Sequence, residues 1–244
     1  ILLKSDNETR SQVFFEIKRW VEDGRISTQE LDDRVRRVLM MKAQQGLFEN
    51  GGIVDPDMAS EALRDPETVK SSRDVARKAT MVLRDRQGLL PLSSGQKVMV
   101  IEQLIPPEFV PNDMHCHARS FNEAMLNQSL NLVNVDTEFR ATPDERKLVM
   151  SLLKEVDVVV LTNYVFRIEP GNNSDLARAI ARRNKPLIVV TNNPYPPGVP
   201  AEAGTVVCTF SATPESLRVA AALLYGKATS RASWPLTKVK MPGN

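Results

Sequence analysis

His115, Cys116 and His117 form the one cluster in this sequence with the chemistry of a metal site. In an extended segment, side chains at i and i+2 share a face, so both imidazoles could meet one zinc ion. Structural zinc sites want four ligands, and a third is not obvious in the sequence. A loop with incidental histidines is the better reading, and no metal is expected. A second group of candidates follows the apolar run Val158–Thr162. The segment Tyr164–Asn173 carries Arg167 and Glu169, a charge pair able to grip or protonate a polar ligand. After the next apolar run comes Thr191-Asn192-Asn193-Pro194-Tyr195-Pro196, in which two prolines stiffen a turn around Asn193. If the runs are strands of an open α/β sheet, both segments leave its carboxyl edge, where ligands bind. Arg167, Glu169 and Asn193 are therefore the candidate substrate-binding residues. The competing reading is a solvated loop with ordinary charges, which is what most loop charges are.

Several other chemistries lack their motifs. The sequence has no GxGxxG after a strand and no GxxxxGK[ST], so a flavodoxin-like nucleotide or phosphate binder is disfavoured and no cofactor is expected. It has no GxSxG, so an α/β-hydrolase reading has no nucleophile. No pair of acids can be nominated as catalytic.

The elements that must position these residues follow from periodicity. Residues 9–23 carry Val13, Phe14, Ile17, Trp20 and Val21 at helical spacing, with Gly24 where a helix-ending glycine belongs. Ser27-Thr28-Gln29-Glu30 has the capping-box form and opens a second helix with Leu31, Val35, Val38 and Leu39, stopping near Gly46. Two such short-linked helices form a hairpin that can bury part of each stripe. The segment from Glu49 to Asp57 loses all period and reads as a linker, and a third helix runs from Pro66 to Ala79. Beyond it, strands are predicted at Met81–Leu83, Val98–Glu102, Leu132–Val135, Val158–Thr162, Leu187–Thr191 and Val206–Phe210. Helices are predicted at Phe121–Asn127, Pro143–Val156, Ser174–Asn184 and Pro214–Tyr225. This alternation is the signature of βαβ units, so the fold class is α/β, a doubly wound and mostly parallel sheet sandwiched by helices. The turn chemistry of Leu83–Leu92 reads as a hairpin-like element.

The chain has 244 residues, 42% hydrophobic and 25% charged, which excludes disorder as the main state. Lys and Arg number 32 against 30 Asp and Glu, a net charge of +2, so nucleic acid is not an expected partner. The apolar runs Val156–Leu161 and Pro186–Val190 fall far short of the roughly 20 residues of a membrane span. Two cysteines, Cys116 and Cys208, exclude a disulfide scaffold. The sequence opens on Ile1 rather than Met and reads as a piece of something longer.

Several of these segments resemble a known family. Val21-x-x-Gly24-Arg25-Ile26-Ser27, followed by Leu31-Asp32-x-x-Val35-Arg36-Arg37-Val38-Leu39-x-x-Lys42-x-x-x-Gly46-Leu47-Phe48, resembles the segment that closes the catalytic barrel of family 3 glycoside hydrolases. Arg73-x-Val75-Ala76-Arg77-Lys78-Ala79 and Gly88-Leu89-Leu90-Pro91-Leu92 resemble the start of that family's second domain. Thr213-Pro214-Glu215-Ser216, Ala220 to Ala228 and Trp234-Pro235-Leu236-Thr237 resemble its carboxyl end, although the usual Gly-Arg-Leu-Pro reads Arg231-Ala232-Ser233-Trp234-Pro235 here. The turn Asn193-Pro194-Tyr195 is most similar to the β-N-acetylglucosaminidase (β-N-acetylhexosaminidase) branch.

The resemblance implies residues 1–48 as the last helices of a (β/α)8 barrel, 49–72 as a linker with a leading helix, and 73–244 as the carboxyl-terminal α/β sandwich. It implies retaining hydrolysis of terminal N-acetylglucosamine by an Asp nucleophile and a His–Asp dyad on barrel loops. The dyad's KH-x-PG-x-G-x(4)-D-x-H motif is absent from this sequence, and His115 and His117 do not match it. In the β-glucosidase branch a second-domain glutamate is the acid, and Glu169 is the residue to examine for that role. The expected partners are the amino-terminal barrel and its carbohydrate substrate, with self-association through residues 9–47 as a further possibility. The alternative is a non-catalytic glycan-binding or protein-interaction module.

Overall fold

The computed structural model describes residues 4–49, 51–106, 118–166, 172–230 and 232–234. The chain divides into two units, Ile1–Arg64 and Asp65–Asn244. The first holds helices α1 (Asn7–Glu22), α2 (Thr28–Gln44) and α3 (Pro56–Leu63). Asp6 caps α1 by accepting the Thr9 N–H at 2.7 Å, and Ser27 caps α2 by accepting the Glu30 N–H at 3.1 Å. Gly24 and Gly46 follow the two helices at φ +72° and +68°, where an L side chain is strained. The apolar stripes are where expected, but no residue of α1, α2 or α3 is buried. Phe14 stays 63% exposed, so α1 and α2 do not shield each other's stripes as a hairpin would. Helix α3 starts at the end of the Glu49–Asp57 segment that composition marks as a linker and runs on to Leu63, where no helix is predicted.

The second unit begins with α4 (Pro66–Ala79), capped by Asp65. It continues with β1 (Met81–Asp85), β2 (Val98–Gln103), α5 (Ser120–Leu126), β3 (Leu132–Thr137), α6 (Pro143–Leu152), β4 (Val158–Thr162), α7 (Ser174–Ala181), β5 (Leu187–Thr191), β6 (Thr205–Cys208) and α8 (Pro214–Leu224). A complete capping box opens α6: Thr142 Oγ1 accepts the Glu145 N–H while Glu145 Oε2 accepts the Thr142 N–H. The six strands form one sheet in the order β1-β6-β5-β4-β2-β3. All pairings are parallel except β1 with β6.

Strand alternation decides which helix each side chain meets. Met99, Ile101, Val159, Leu161, Leu187 and Val189 face one way and pack with Val149 of α6 and Leu176 and Ile180 of α7. Val98, Val100, Val158, Val160, Ile188 and Val190 face the other way and pack with Phe121 and Met125 of α5 and Leu217 and Ala221 of α8. Every residue of β2, β4, β5 and β6 is buried, as a parallel sheet covered on both faces requires.

The stretch Leu83–Leu92 is not a hairpin. Strand β1 finds its partner in β6, and the Leu92 N–H instead donates to the Leu224 carbonyl. The turn is held by Asp85, whose Oδ1 accepts the Leu89 N–H at 2.9 Å and the Thr205 hydroxyl at 2.6 Å, while Oδ2 accepts the Leu90 N–H at 3.1 Å. Burial works to raise the Asp85 pKa, but the Thr205 hydroxyl and the backbone N–H groups outweigh it and hold the carboxyl below its ordinary value. The next strand residue back, Arg84, is buried and donates to the carbonyls of Ala203 and Pro200, tying β1 to the approach to β6. Removing the Asp85 carboxylate should leave two turn N–H groups without an acceptor. We expect Asp85→Ala to lower unfolding free energy by about 2–4 kcal/mol in chemical denaturation. Its folded pKa is depressed, so the contribution is present at neutral pH and lost as pH falls through the folded value.

Candidate functional site

The chain runs outward from β2 to β3 and then returns past β2 to β4. The carboxyl ends of β2 and β4 thus border the crevice where an open α/β sheet places its ligands. Each central strand here ends on polar residues: Glu102-Gln103 in β2, Thr162-Asn163 in and after β4, and Thr191-Asn192-Asn193 in and after β5. All but Asn192 and Asn193 are buried.

Gln103 bridges the crevice. Its backbone N–H donates to Thr162 Oγ1 at 2.7 Å, its side-chain carbonyl accepts the Tyr164 N–H, and its side-chain amide donates to the Phe139 carbonyl. Asn163 donates through Nδ2 to the carbonyls of Pro197 (3.0 Å) and Gly198 (3.1 Å). Asn173, at the start of α7, donates to Thr137 Oγ1 and accepts the Ala141 N–H, both at 2.8 Å. Asn192 accepts the Val165 N–H and donates to the Val165 carbonyl, clasping the segment after β4 to the segment after β5. The amides of this edge therefore work as loop fasteners.

One carboxylate lies deep in the edge. Glu102 is 2% exposed, and its two oxygens accept the N–H groups of Phe121 (3.0 Å) and Asn122 (2.8 Å) in α5. Parallel register places it beside Asp136 of β3. Asp136 is itself held by Arg119 Nε at 2.7 Å and Asn122 Nδ2 at 2.8 Å. Desolvation raises the Glu102 pKa, the two N–H groups oppose it, Asp136 and Glu123 add to it, and the result is about 7. The thiol of Cys208 is buried in β6 and pushed up to about 12 by desolvation, so it carries no thiolate at neutral pH and is no nucleophile. Among the described residues no group of three or more His, Cys, Asp or Glu could hold a metal ion.

Of the residues singled out by sequence, Asn193 lies at this edge and is half-buried. Its side-chain oxygen accepts the Tyr195 N–H at 2.9 Å, and its backbone N–H donates to Thr191 Oγ1 at 3.1 Å, closing a tight turn. Arg167 and Glu169 lie outside the described residues, as do His115, Cys116 and His117. Glu102, Gln103, Asn163, Asn173 and Asn192 were not anticipated. Their signal was available for the strand ends, since polar residues there follow otherwise unbroken apolar runs.

No sequence-family profile and no curated protein matches the chain. Solved structures do match it. A family 3 β-N-acetylglucosaminidase from Paenibacillus sp. str. FPU-7 superposes with a TM-score of 0.63 at 20% identity, over 88% of this chain and 41% of that one. A β-glucosidase from Listeria innocua, in complex with glucose, gives 0.63 at 21% identity, over 87% of this chain and 32% of that one. A β-glucoside phosphorylase gives 0.54 at 20%, over 94% and 42%. The chain spans less than half the length of each of these relatives. Its fold is that of the carboxyl-terminal α/β sandwich of family 3 glycoside hydrolases.

Two expectations arise from this edge. Protonation of Glu102 is favoured by the fold, because its pKa rises from 4.5 to about 7. Its contribution is fully present below pH 4.5 and is lost as pH rises to about 7. Denaturation midpoints should therefore decline over that window, by on the order of 1–3 kcal/mol in stability, and the decline should flatten in Glu102→Gln. The second concerns Gly198, where an added Cβ would stand 2.4 Å from the Asn193 carbonyl oxygen. Gly198→Ala should cost about 1–3 kcal/mol in thermal unfolding. Gly204→Ala meets only the flexible Gln87 side chain and should cost less.

Proposed function

We propose that this chain is the carboxyl-terminal part of a family 3 glycoside hydrolase whose catalytic residues lie in a barrel upstream of it. The observation that carries the reading is the match itself. It covers nearly all of this chain and less than half of each glycoside-active relative. The first unit supports it independently. Phe14, Phe15, Trp20, Val35, Val38 and Leu39 are all at least two-fifths exposed, and burying such side chains is worth about 1.5–3 kcal/mol each. The strands and neighbouring helices of a (β/α)8 barrel would cover these stripes.

The parent's reaction would be retaining hydrolysis of terminal β-linked N-acetylglucosamine. That chemistry needs a nucleophilic carboxylate and a proton donor about 5–5.5 Å apart across the sugar. Among the described residues the most buried carboxylate, Glu102, is instead committed to two backbone N–H groups of α5. The acetamido-sugar specificity rests on the Asn193-Pro194-Tyr195 turn, since the Paenibacillus β-N-acetylglucosaminidase and the Listeria β-glucosidase match the fold equally well. Arg167, Glu169 and Asn193 would meet the substrate from segments leaving the carboxyl ends of β4 and β5, facing the barrel mouth.

The test compares the 244-residue chain with the same chain carrying its upstream barrel, on a chromogenic β-N-acetylglucosaminide and the matching β-glucoside. We expect no turnover by the chain alone, and preference for the acetamido sugar by the longer protein. Turnover at equal rates by both would overturn the reading. Arg167→Ala and Glu169→Ala in the longer protein should change KM or kcat. Unchanged values in both would leave these residues as solvated charges.

A further inference from the structure

We propose that the groove between α4 and α8 binds a small multivalent oxyanion, gripped by Arg77, Lys78 and Lys227. The groove measures about 780 Å³, and both its walls and its charges belong to the second unit. Arg73, Arg77 and Lys78 enter it from α4, Arg218 from α8, and Lys227 from the turn beyond α8. Against these five cations stand two carboxylates, Asp74 and Glu215. The groove thus concentrates an excess of three positive charges, more than the +2 of the entire chain.

The carboxylates do not neutralise the cluster evenly. Glu215 Oε1 is taken by Arg218 at 2.8 Å and approached by Arg73 at 3.5 Å. Arg77, Lys78 and Lys227 make no ion pair among the described residues. Arg77 and Lys78 sit in the last turn of α4, where positive charge offsets the helix dipole. That accounts for two cations on one helix. It does not account for Lys227 entering the same concavity from the turn beyond α8. Val219, Ala222 and Ala228 also line the groove, and apolar walls focus the field of surrounding charges.

The arrangement selects the ligand class by valence. A single monovalent ion compensates only one of the three excess charges. A compact molecule with two or more phosphoryl or carboxylate groups compensates more of them, with the planar Arg77 fork matching either group and the two lysines acting as point charges.

Pyrophosphate and citrate, titrated into the 244-residue chain at constant ionic strength, probe the two chemistries. We expect saturable thermal stabilisation and calorimetric binding by at least one of them, with Kd roughly 0.1–1 mM. Response to pyrophosphate alone assigns a phosphorylated ligand, response to citrate alone a polycarboxylate, and response to both a site reading charge and spacing. The combined variant Arg77→Gln, Lys78→Gln and Lys227→Gln should weaken binding at least about tenfold. The remote Lys154→Gln should not. Broadening of the pyrophosphate phosphorus resonance by the unmodified chain provides a reading that does not depend on the variant's folding. No response beyond that of sodium chloride at equal ionic strength, or a response unchanged in the combined variant, would overturn the proposal.

Discussion

Complete burial of the central strands is the constraint on which the rest depends. Strands β2, β4, β5 and β6 have no exposed residue. A strand in that position cannot hand its last polar groups to water, and an unpaired buried polar group costs about 1–3 kcal/mol. The polar residues at the strand ends answer this requirement. Gln103 links β2 to β4, Asn163 reaches the Pro197–Gly198 backbone, and Asn173 joins the start of α7 to Thr137. The carboxyl edge of the sheet is therefore made rigid by the same side chains that would otherwise invite a ligand.

That rigidity bears on where chemistry can occur. The amide nitrogens at the edge are spent on backbone carbonyls or on Thr137, so under the proposed function contact with a sugar would fall to the segments that the edge holds in place. Asn192 shows the division of labour, since both ends of its amide are spent on Val165 in the segment leading toward Arg167 and Glu169. Gly198 packs so closely under the Asn193–Tyr195 turn that no side chain fits there. Loops fixed in this way fit the proposal that the domain works beside a separate catalytic barrel.

Two carboxylates illustrate how one fold sets opposite electrostatics. Asp85 and Glu102 each accept backbone N–H groups at a turn or helix start. Thr205 adds a third donor to Asp85, and its pKa is lowered. Glu102 is more deeply buried and lies beside Asp136, and its pKa rises to about 7. Desolvation and a like charge outweigh two good hydrogen bonds in the second case, and hydrogen bonds outweigh desolvation in the first.

The sequence by itself determined the elements of the second unit. All six strands and the helices between them stand within a few residues of their expected positions, because apolar alternation, caps and prolines act over neighbours in the chain. It also carried enough of the family's pattern to place the fold. What only the tertiary structure decided was partnership. Leu83–Leu92 looks like a hairpin from its turn residues, yet β1 pairs with β6, more than a hundred residues away, and Asp85 closes the turn by itself. The stripes of α1 and α2 were legible, but their failure to bury one another was not, since a stripe records that a face needs cover and not what covers it. Gln103 and Asn163 were visible only as polar residues after apolar runs. That Gln103 fastens the segment after β4 depends on β2 and β4 lying side by side, and that Asn163 reaches the Pro197–Gly198 backbone depends on β4 lying beside β5, contacts that no local pattern encodes.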